Sequence, residues 1–275
     1  MPDGAISFPI LGDFYINPPS YFKIGPLTIH WYGVIIACGF LLAVLYCSKR
    51  AKSFGLEGDS VFDVVIYGLP VGIICARAYY VLFYLELFRG KGFLDYIAIW
   101  NGGLAIYGGI IGAALTLVVY CAVKKIKLAP FLDLASLGFL IGQSVGRWGN
   151  FINREAYGCE TTLPWRMGLT NGGATAYVHP TFLYESLWNL VGFVLLHFLS
   201  KRRRYDGQTA LMYLAWYGVG RALIEGLRAD SLYLFDTGIR VSQLLAGASA
   251  LAALVALILN ATVIKHSPED MLVNK

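Results

Sequence analysis

The stretch Gly146-Arg147-Trp148-Gly149-Asn150-Phe151-Ile152-Asn153-Arg154-Glu155 closes an apolar run that begins near Phe131. It places an arginine, two asparagines and a glutamate at the far end of a segment long enough to cross a membrane. A cation at that depth needs a partner inside the protein or a charged ligand, although an arginine near a helix end also snorkels to the interface. The stretch therefore predicts a membrane helix whose outer end is a candidate polar site.

The composition indicates a polytopic membrane protein. Of the 275 residues, 57% are hydrophobic and 14% are charged, whereas a soluble domain carries roughly 25% charged residues. The positive charges form short clusters between apolar runs, so the formal net charge of +5 does not indicate nucleic-acid binding. The five cysteines show no metal-ligand spacing, and no nucleotide-phosphate motif occurs. We therefore expect no metal, no cofactor and no nucleic-acid partner.

Seven apolar runs reach the length of roughly 20 residues that crosses a bilayer. The predicted spans are residues 27–48, 61–85, 96–123, 131–152, 181–199, 208–227 and 239–264. Basic clusters follow the first, third and fifth spans, and Lys265 and His266 follow the seventh, which places these four ends in the cytoplasm. The predicted fold is an all-α polytopic membrane protein of about seven transmembrane helices, with its N-terminus outside and its C-terminus cytoplasmic.

The whole chain, residues 1–275, is expected to form one transmembrane catalytic domain. Residues 1–26 are predicted to be an outer N-terminal segment, residues 153–180 an outer polar loop between spans four and five, and residues 265–275 a cytoplasmic tail. This topology brings the end of span four, the start of span five and the end of span six to the outer side of the membrane.

Polar side chains inside or beside the apolar runs are the candidate site residues. Tyr32 lies at the outer start of span one and could donate a hydrogen bond to a ligand oxygen. Arg77 lies within span two, where a carbonyl or carboxylate of a neighbouring helix could also satisfy it. Arg221 and Glu225 are four residues apart and share a helix face, which predicts either an internal ion pair or a ligand site.

Two further places carry polar groups toward the outer side. His179 and Glu185 lie at the start of span five, where a histidine is usually structural and an acid one turn inside is harder to explain by structure alone. Arg228 lies near the outer end of span six, where it could simply snorkel.

Span three contains a glycine-rich stretch, residues 101–112, with five glycines. Glycine is costly in an isolated helix. The glycines therefore predict either close helix packing or a break in the helix around a site, because irregular backbone at membrane depth is tolerated only where it is buried or lines a cavity. Tyr107, set among the glycines, favours a site.

Arginines outnumber acids among these candidates. The bases are Arg77, Arg147, Arg221 and Arg228, and the acids are Glu155, Glu185 and Glu225. A planar guanidinium binds two phosphate oxygens at once, and the anion available at this depth is a phospholipid head group. The sequence therefore predicts a head-group site in the outer half of the membrane.

Five stretches of the chain, in this order, resemble the prolipoprotein diacylglyceryl transferase family of bacteria. They are His30-Trp31-Tyr32-Gly33, residues 101–112, residues 146–155, His179-Pro180-Thr181-Phe182-Leu183-Tyr184-Glu185, and Gly220-Arg221 through Glu225 to Arg228. The resemblance covers roughly residues 25 to 245, and its most specific part is the fourth-span stretch.

The resemblance implies transfer of the diacylglyceryl group of phosphatidylglycerol to the thiol of the lipobox cysteine in a prolipoprotein signal peptide. The products are a thioether and glycerol phosphate, in the first step of bacterial lipoprotein maturation. It also implies a multi-pass protein of the bacterial cytoplasmic (inner) membrane whose active site faces the outer leaflet. The residue roles it implies are catalysis by Tyr107, Arg147 and Arg221, phosphatidylglycerol binding by Arg147, Asn150, Tyr32, Glu155 and Glu225, and support by Arg77, Asn153, His179, Glu185 and Arg228.

The chain departs from the family pattern at Tyr107, where some members carry a histidine proposed as the general base. A phenol, whose pKa is about 10 in model peptides, is a poor base at neutral pH unless a nearby cation lowers that pKa. Either an arginine activates Tyr107, or the thiol loses its proton elsewhere, with Glu155, Glu225 and water as the alternatives.

Two rival functions make different predictions. An anion or lipid transporter predicts discontinuous helices in two related halves, and the halves share no repeated motif. A non-catalytic membrane scaffold predicts as many buried acids as buried bases.

Overall fold

The computed structural model describes residues 1–12, 14–229, 233, 238 and 240–274, and it describes residue 270 by its backbone alone. Within these ranges the protein is mostly helical. Its α-helices are α1 (Trp31–Arg50), α2 (Gly58–Phe83), α3 (Phe93–Ile97), α4 (Ile106–Lys124), α5 (Leu128–Asn153), α6 (Thr181–Leu199), α7 (Gln208–Glu225) and α8 (Val241–Thr262).

Six helices of the described chain are long and apolar enough to cross a membrane, judged by length and composition. They are α1, α2, α4, α5, α6 and α8. Helix α7 has 18 residues but falls outside this set, because Gln208, Arg221 and Glu225 lower its hydropathy. The architecture is that of a polytopic membrane protein.

The prediction of a continuous third span from residue 96 is wrong. The short helix α3 ends at Ile97, a 3-10 turn covers Ile99–Asn101, and α4 begins only at Ile106. Gly102 and Gly103 have φ of 80° and 73°, a region that glycine enters without steric cost. The break is held by Arg77, which donates hydrogen bonds to the carbonyl oxygens of Asp95, Tyr96, Gly102 and Gly103.

The later glycines of the same stretch serve helix packing. A Cβ added to Gly108 would lie 2.3 Å from the carbonyl oxygen of Cys75 on α2. Gly112 is also close to α2, since a Cβ there would lie 2.9 Å from the Cα of Gly72. Both alternatives for the glycine-rich stretch therefore occur, a break at its start and a close α2–α4 contact further on.

Two small antiparallel sheets correct the all-α prediction. The strands are β1 (Ile6–Ser7), β2 (Tyr15–Ile16), β3 (Tyr21–Ile24), β4 (Leu27–His30), β5 (Met167–Asn171) and β6 (Ala174–Val178). One sheet has the order β2-β1-β5-β6, and the other is the β3–β4 hairpin. The first helix consequently begins at Trp31 and not at Leu27.

The four-stranded sheet covers the end of the bundle where α5 ends and α6 begins. Ile6, Met167 and Val178 from the strands form a buried cluster with Phe151 of α5 and Phe182 of α6. Residues 1–26 are therefore more than a polar surface segment, because they complete a sheet that packs on the helices.

At the opposite end of the bundle, the final residues fold back onto the helices. A 3-10 turn at Leu272–Asn274 brings Leu272 against the apolar cluster that contains Phe54. The backbone N–H of Leu272 donates to Oδ2 of Asp206, 2.9 Å away. The segment predicted as a tail thus has a defined position against the helix ends.

Candidate functional site

Glu185 is the centre of a buried cluster of charged side chains. It lies on the second turn of α6, and its side chain is 4% exposed. Its carboxylate oxygens lie 2.5 Å from Nη2 of Arg147, 2.9 Å from Nη1 of Arg221 and 3.8 Å from Nη1 of Arg228. One carboxylate thereby links α5, α6, α7 and the turn that follows α7.

The i, i+4 pair of α7 is an ion pair, which is one of the two alternatives that the spacing leaves open. Nη2 of Arg221 lies 2.6 Å from Oε2 of Glu225. The guanidinium of Arg240 donates to the backbone carbonyl of Glu225, and the amide of Gln243 donates to that of Ala222 at 2.9 Å. The start of α8 therefore adds hydrogen bonds to carbonyl groups at the end of α7, where helix carbonyls lose their intrahelical partners.

A chain of hydrogen bonds leads from the cluster to the surface. Nη1 of Arg147 donates to Oδ1 of Asn150 at 3.3 Å, and the amide of Asn150 donates to Oε1 of Glu155 at 2.8 Å. The side chain of Arg147 is 20% exposed, and Glu155 is exposed. Arg147 is thus held by a buried acid on one side and an accessible polar chain on the other.

Tyr32 lies beside this chain. Its ring covers Gly149, where an added Cβ would come 2.8 Å from Cδ2 of the ring. A glycine at residue 149 therefore permits the first turn of α1 to approach the last turns of α5. The arrangement brings Tyr32 next to the turn of α5 that carries Arg147 and Asn150.

Arg154 has a structural position at the end of α5. It donates to the carbonyl oxygens of Gly4 at 2.6 Å and Pro18 at 2.9 Å, and to Oδ1 of Asn17 at 2.7 Å. These bonds fasten the N-terminal segment against the end of α5, next to the charged cluster.

Other predicted residues lie outside the cluster. Arg77 donates its hydrogen bonds to carbonyl groups at the break before α4. Tyr107 is 64% exposed, and its ring is 6.3 Å from that of Tyr79. Nδ1 of His179 lies 3.3 Å from the hydroxyl of Tyr184, and Asn153 is the half-buried last residue of α5.

Sequence reasoning missed the serine contact that aligns α5 with α6. Oγ of Ser144 and Oγ of Ser186 each donate to the other residue's carbonyl at 2.9 Å. Nε1 of Trp148 donates to Oγ of Ser186 at 3.2 Å. The signal in the sequence is a serine directly after Glu185, in a mostly apolar helix.

A second missed contact joins α6 to α7. The indoles of Trp188 and Trp216 stack at 4.5 Å, and each Nε1 donates to the other residue's carbonyl at 3.0 Å. The contact lies next to the ion pairs, because Trp188 is one turn after Glu185. On α7 it lies against Gly220, the residue before Arg221, where an added Cβ would be 2.1 Å from Nε1 of Trp188.

These features define a class: a polytopic membrane protein in which an ordered arginine–glutamate cluster lies at one end of the helix bundle. Fixed guanidinium groups in a water-poor site are suited to bind and stabilise a phosphate. The sequence model of the family described as prolipoprotein diacylglyceryl transferase matches residues 19–259. The chain belongs to this family.

Two relatives from Streptococcus pyogenes, serotype M5 (strain Manfredo) and serotype M1, are named phosphatidylglycerol–prolipoprotein diacylglyceryl transferase. Each is 45% identical to this chain over 249 residues, which cover 88% of this chain and 93% of the relative. The similarity therefore extends over nearly the whole of both proteins.

Proposed function

We propose that this protein is a transferase that moves the diacylglyceryl group of phosphatidylglycerol to a prolipoprotein, in the first step of lipoprotein maturation. The observation that carries the proposal is the Arg147–Glu185–Arg221 cluster, which lies where α5 and α7 end and α6 begins, in a chain of this family. The acceptor is the thiol of the lipobox cysteine in the signal peptide.

The proposed reaction is a displacement at a carbon of the diacylglyceryl group. The cysteine sulfur forms a bond to the diacylglyceryl carbon, and the bond from that carbon to the phosphate oxygen breaks. The electron pair stays with the phosphate, which leaves as glycerol phosphate, and the thiol proton passes to a base. Because the thiolate is the nucleophile and charge grows on the phosphate, the enzyme must take up the thiol proton and stabilise an anion.

Arg147 and Arg221 are proposed to hold the phosphate. Their side chains are 20% and 16% exposed, so each keeps an accessible part while Glu185 fixes the rest. A fixed donor costs no reorganisation when charge develops on the leaving group. Asn150, Glu155 and Tyr32 line the accessible side of Arg147 and are proposed to contact the glycerol part of the head group, while Glu225 orients Arg221.

Tyr107 is proposed to donate a hydrogen bond to the lipid and not to act as the base. Its phenol is largely exposed, and its ring contact is with another tyrosine. In the described ranges no arginine contacts it, so nothing there supplies the cation that would make a phenol basic. Glu155, Glu225 and water remain as candidates for the base.

The proposed topology has seven crossings. Lys49–Lys52, Lys124–Lys127 and Lys201–Arg204 follow α1, α4 and α6 at one end of the bundle, which supports a cytoplasmic position for that end. Helix α7 starts at this end and ends in the charged cluster, so we count it as a crossing. The N-terminus and the site are then on the outer side of the bacterial cytoplasmic membrane.

The direct test is thioether formation by the purified protein. A lipobox peptide is incubated with the protein in phosphatidylglycerol micelles, and mass spectrometry measures the peptide that has gained a diacylglyceryl group. Micelles of phosphatidylcholine and a peptide with serine in place of the lipobox cysteine are the controls. A transporter or scaffold gives no modified peptide, and that result from folded protein would contradict the proposal.

A further inference from the structure

A basic cavity lies at the end of the bundle opposite the charged cluster. Helices α1 and α6 both begin near the site and end here. The cavity has a volume of about 330 Å³. It is lined by Arg50 at the end of α1 and Ser53 after it, by Ser200, Lys201 and Arg203 after α6, and by residues of the C-terminal segment 271–274.

The wall of this cavity carries three positive side chains. They are Arg50, Lys201 and Arg203, and the lining has no acidic side chain among the residues that the structure describes. The two basic clusters that predict topology are far apart in sequence. They meet at this cavity, where Nη2 of Arg50 donates to Oγ of Ser200 at 3.0 Å.

The two arginines have hydrogen-bond donors that are turned away from water and unused. Nε of Arg50, and Nε and Nη2 of Arg203, are buried without a hydrogen-bond partner. The guanidinium of Arg203 lies 4.2 Å above the ring of Phe54, which fixes its plane. Unused buried donors of this kind are costly, and their explanation is commonly an ion or ligand.

Two acids lie near Arg203, and the backbone engages three of their four oxygens, while Oδ1 of Asp206 is buried without a hydrogen-bond partner. Both oxygens of Asp133 accept backbone N–H groups, from Gly207 and Ala210 at 2.8 Å, and Oδ2 of Asp206 accepts from Leu272. Burial lowers the pKa of Arg203, and the charge of Arg50 lowers it further, while Asp133 and Asp206 oppose the shift. An anion in the cavity would offset the cost of burying this guanidinium.

We propose that the cavity bounded by Arg50, Lys201 and Arg203 is a second anion site, which binds a phosphate group at the cytoplasmic end of the protein. Two arginines and a lysine around a pocket between membrane helices are suited to a phosphate. The phosphate could belong to an anionic lipid of the inner leaflet or be free in solution. The site is separate from the transfer site, and only its placement at the cytoplasmic end rests on the topology proposed above.

Thermal unfolding of the purified full-length protein in neutral detergent tests the proposal. The unfolding midpoint is measured with added inorganic phosphate, with a short-chain phosphatidic acid, and with potassium chloride at matched ionic strength. We expect phosphate or phosphatidic acid to raise the midpoint by roughly 3–6 °C over chloride, the shift that a ligand well above its Kd gives to a protein of this size. A shift with inorganic phosphate indicates free phosphate as the ligand, and a shift with phosphatidic acid alone indicates a lipid head group.

Matched variants assign the response to the cavity. Arg203→Gln should remove the part of the shift that comes from the cavity, whereas Arg202→Gln removes an exposed charge next door, outside the lining, and should keep the full shift. If Arg203→Gln does not fold, Lys201→Gln, at an exposed residue, should shift the half-maximal ligand concentration at least threefold. Equal responses to chloride, or an unchanged response in Lys201→Gln and Arg203→Gln, would overturn the site.

Discussion

Glu185 links the arginines of the site through a single carboxylate. Three guanidinium groups from α5, α7 and the following turn converge on it in a nearly dry environment. Without this acid the arginines would repel one another, and their forks would lose the orientation that phosphate recognition needs. Glu185 is thus better described as the residue that positions the arginines than as a ligand of the lipid.

Replacing Glu185 by glutamine should destabilise the protein strongly. Removing one partner of a buried ion pair costs about 3–5 kcal/mol, because the other charge is left uncompensated. The matched control is Glu86→Gln, which breaks an exposed pair with Arg89 and should change little. Thermal unfolding in detergent measures both. Similar losses in the two variants would contradict the central role of Glu185.

Arg147→Lys should lower the transfer rate by about 10²-fold, the usual cost of losing one preorganised donor, while the protein still inserts. Lysine keeps the charge but lacks the planar fork. The assay is thioether formation on the lipobox peptide, with Arg89→Lys at an exposed residue as control. Wild-type turnover by Arg147→Lys would mean that Arg147 only pairs with Glu185 and does not hold the phosphate.

Tyr107→Phe separates the two roles left open for this residue. A phenol that only donates a hydrogen bond affects lipid binding, so the apparent Kd should rise while the single-turnover rate at saturating lipid stays unchanged. A general base contributes typically about 10²–10⁴-fold in rate. A loss of that size at saturating lipid, with activity retained in Tyr107→His, would instead make the phenol the base.

At the scale of elements, the Trp188–Trp216 contact fixes α7 against α6 and thereby fixes the position of Arg221 relative to Glu185. The two indoles stack and exchange hydrogen bonds with the facing backbones. Gly220 lies directly under the indole of Trp188. The residue before Arg221 therefore has to be small for α6 and α7 to approach each other.

Gly220→Ala should destabilise the protein and reduce activity. Overpacking costs about 1–3 kcal/mol, whereas alanine gains up to about 1 kcal/mol in helix propensity, so the loss prevails. Gly247→Ala on α8 is the control, because its Cβ would meet nothing within 4 Å and only the gain applies. A Gly220→Ala midpoint at or above that of Gly247→Ala would refute the tight contact.

The sequence predicts some elements well and others not at all. Helix α6 agrees with its predicted limits because Pro180 marks its start and an apolar run its body. The break before α4 was one of two alternatives, since glycine favours breaks and close packing alike. The sequence does not predict the strands β1 and β5. Strand β1 has only two residues, too few to show an alternation of apolar and polar side chains, and it pairs with β5 only across the folded chain.

At the scale of the whole molecule, the two ends of the bundle have different chemistry. One end joins basic clusters around a cavity, and the other joins arginines to glutamates beneath a sheet. The residues at each end could be listed from the sequence, but their partners could not. Which acid serves which arginine depends on helix rotation, and Glu185 became central only because α5 and α7 both face it.

Cysteine probes on a cysteine-free background test the topology. A probe at Asn171 in the sheet should react with an impermeant thiol reagent in intact cells, and a probe at Arg204 should react only after permeabilisation. Both residues are exposed, so access and not burial decides the result. Labelling of the Arg204 probe from outside would reverse the orientation and remove the outward-facing site.

The pairing of the first strand with the fifth has a consequence for biosynthesis. Gly4 and Arg154, which fasten the N-terminal segment to α5, are 150 positions apart, and the sheet also needs the β5–β6 hairpin. The N-terminal segment must therefore wait, without its partner β5, while the four membrane helices α1, α2, α4 and α5 are made. The sheet can close only when the ribosome has passed residue 178, and the charged cluster also needs Glu185, Arg221 and Arg228, so a chain interrupted before residue 228 has an incomplete site.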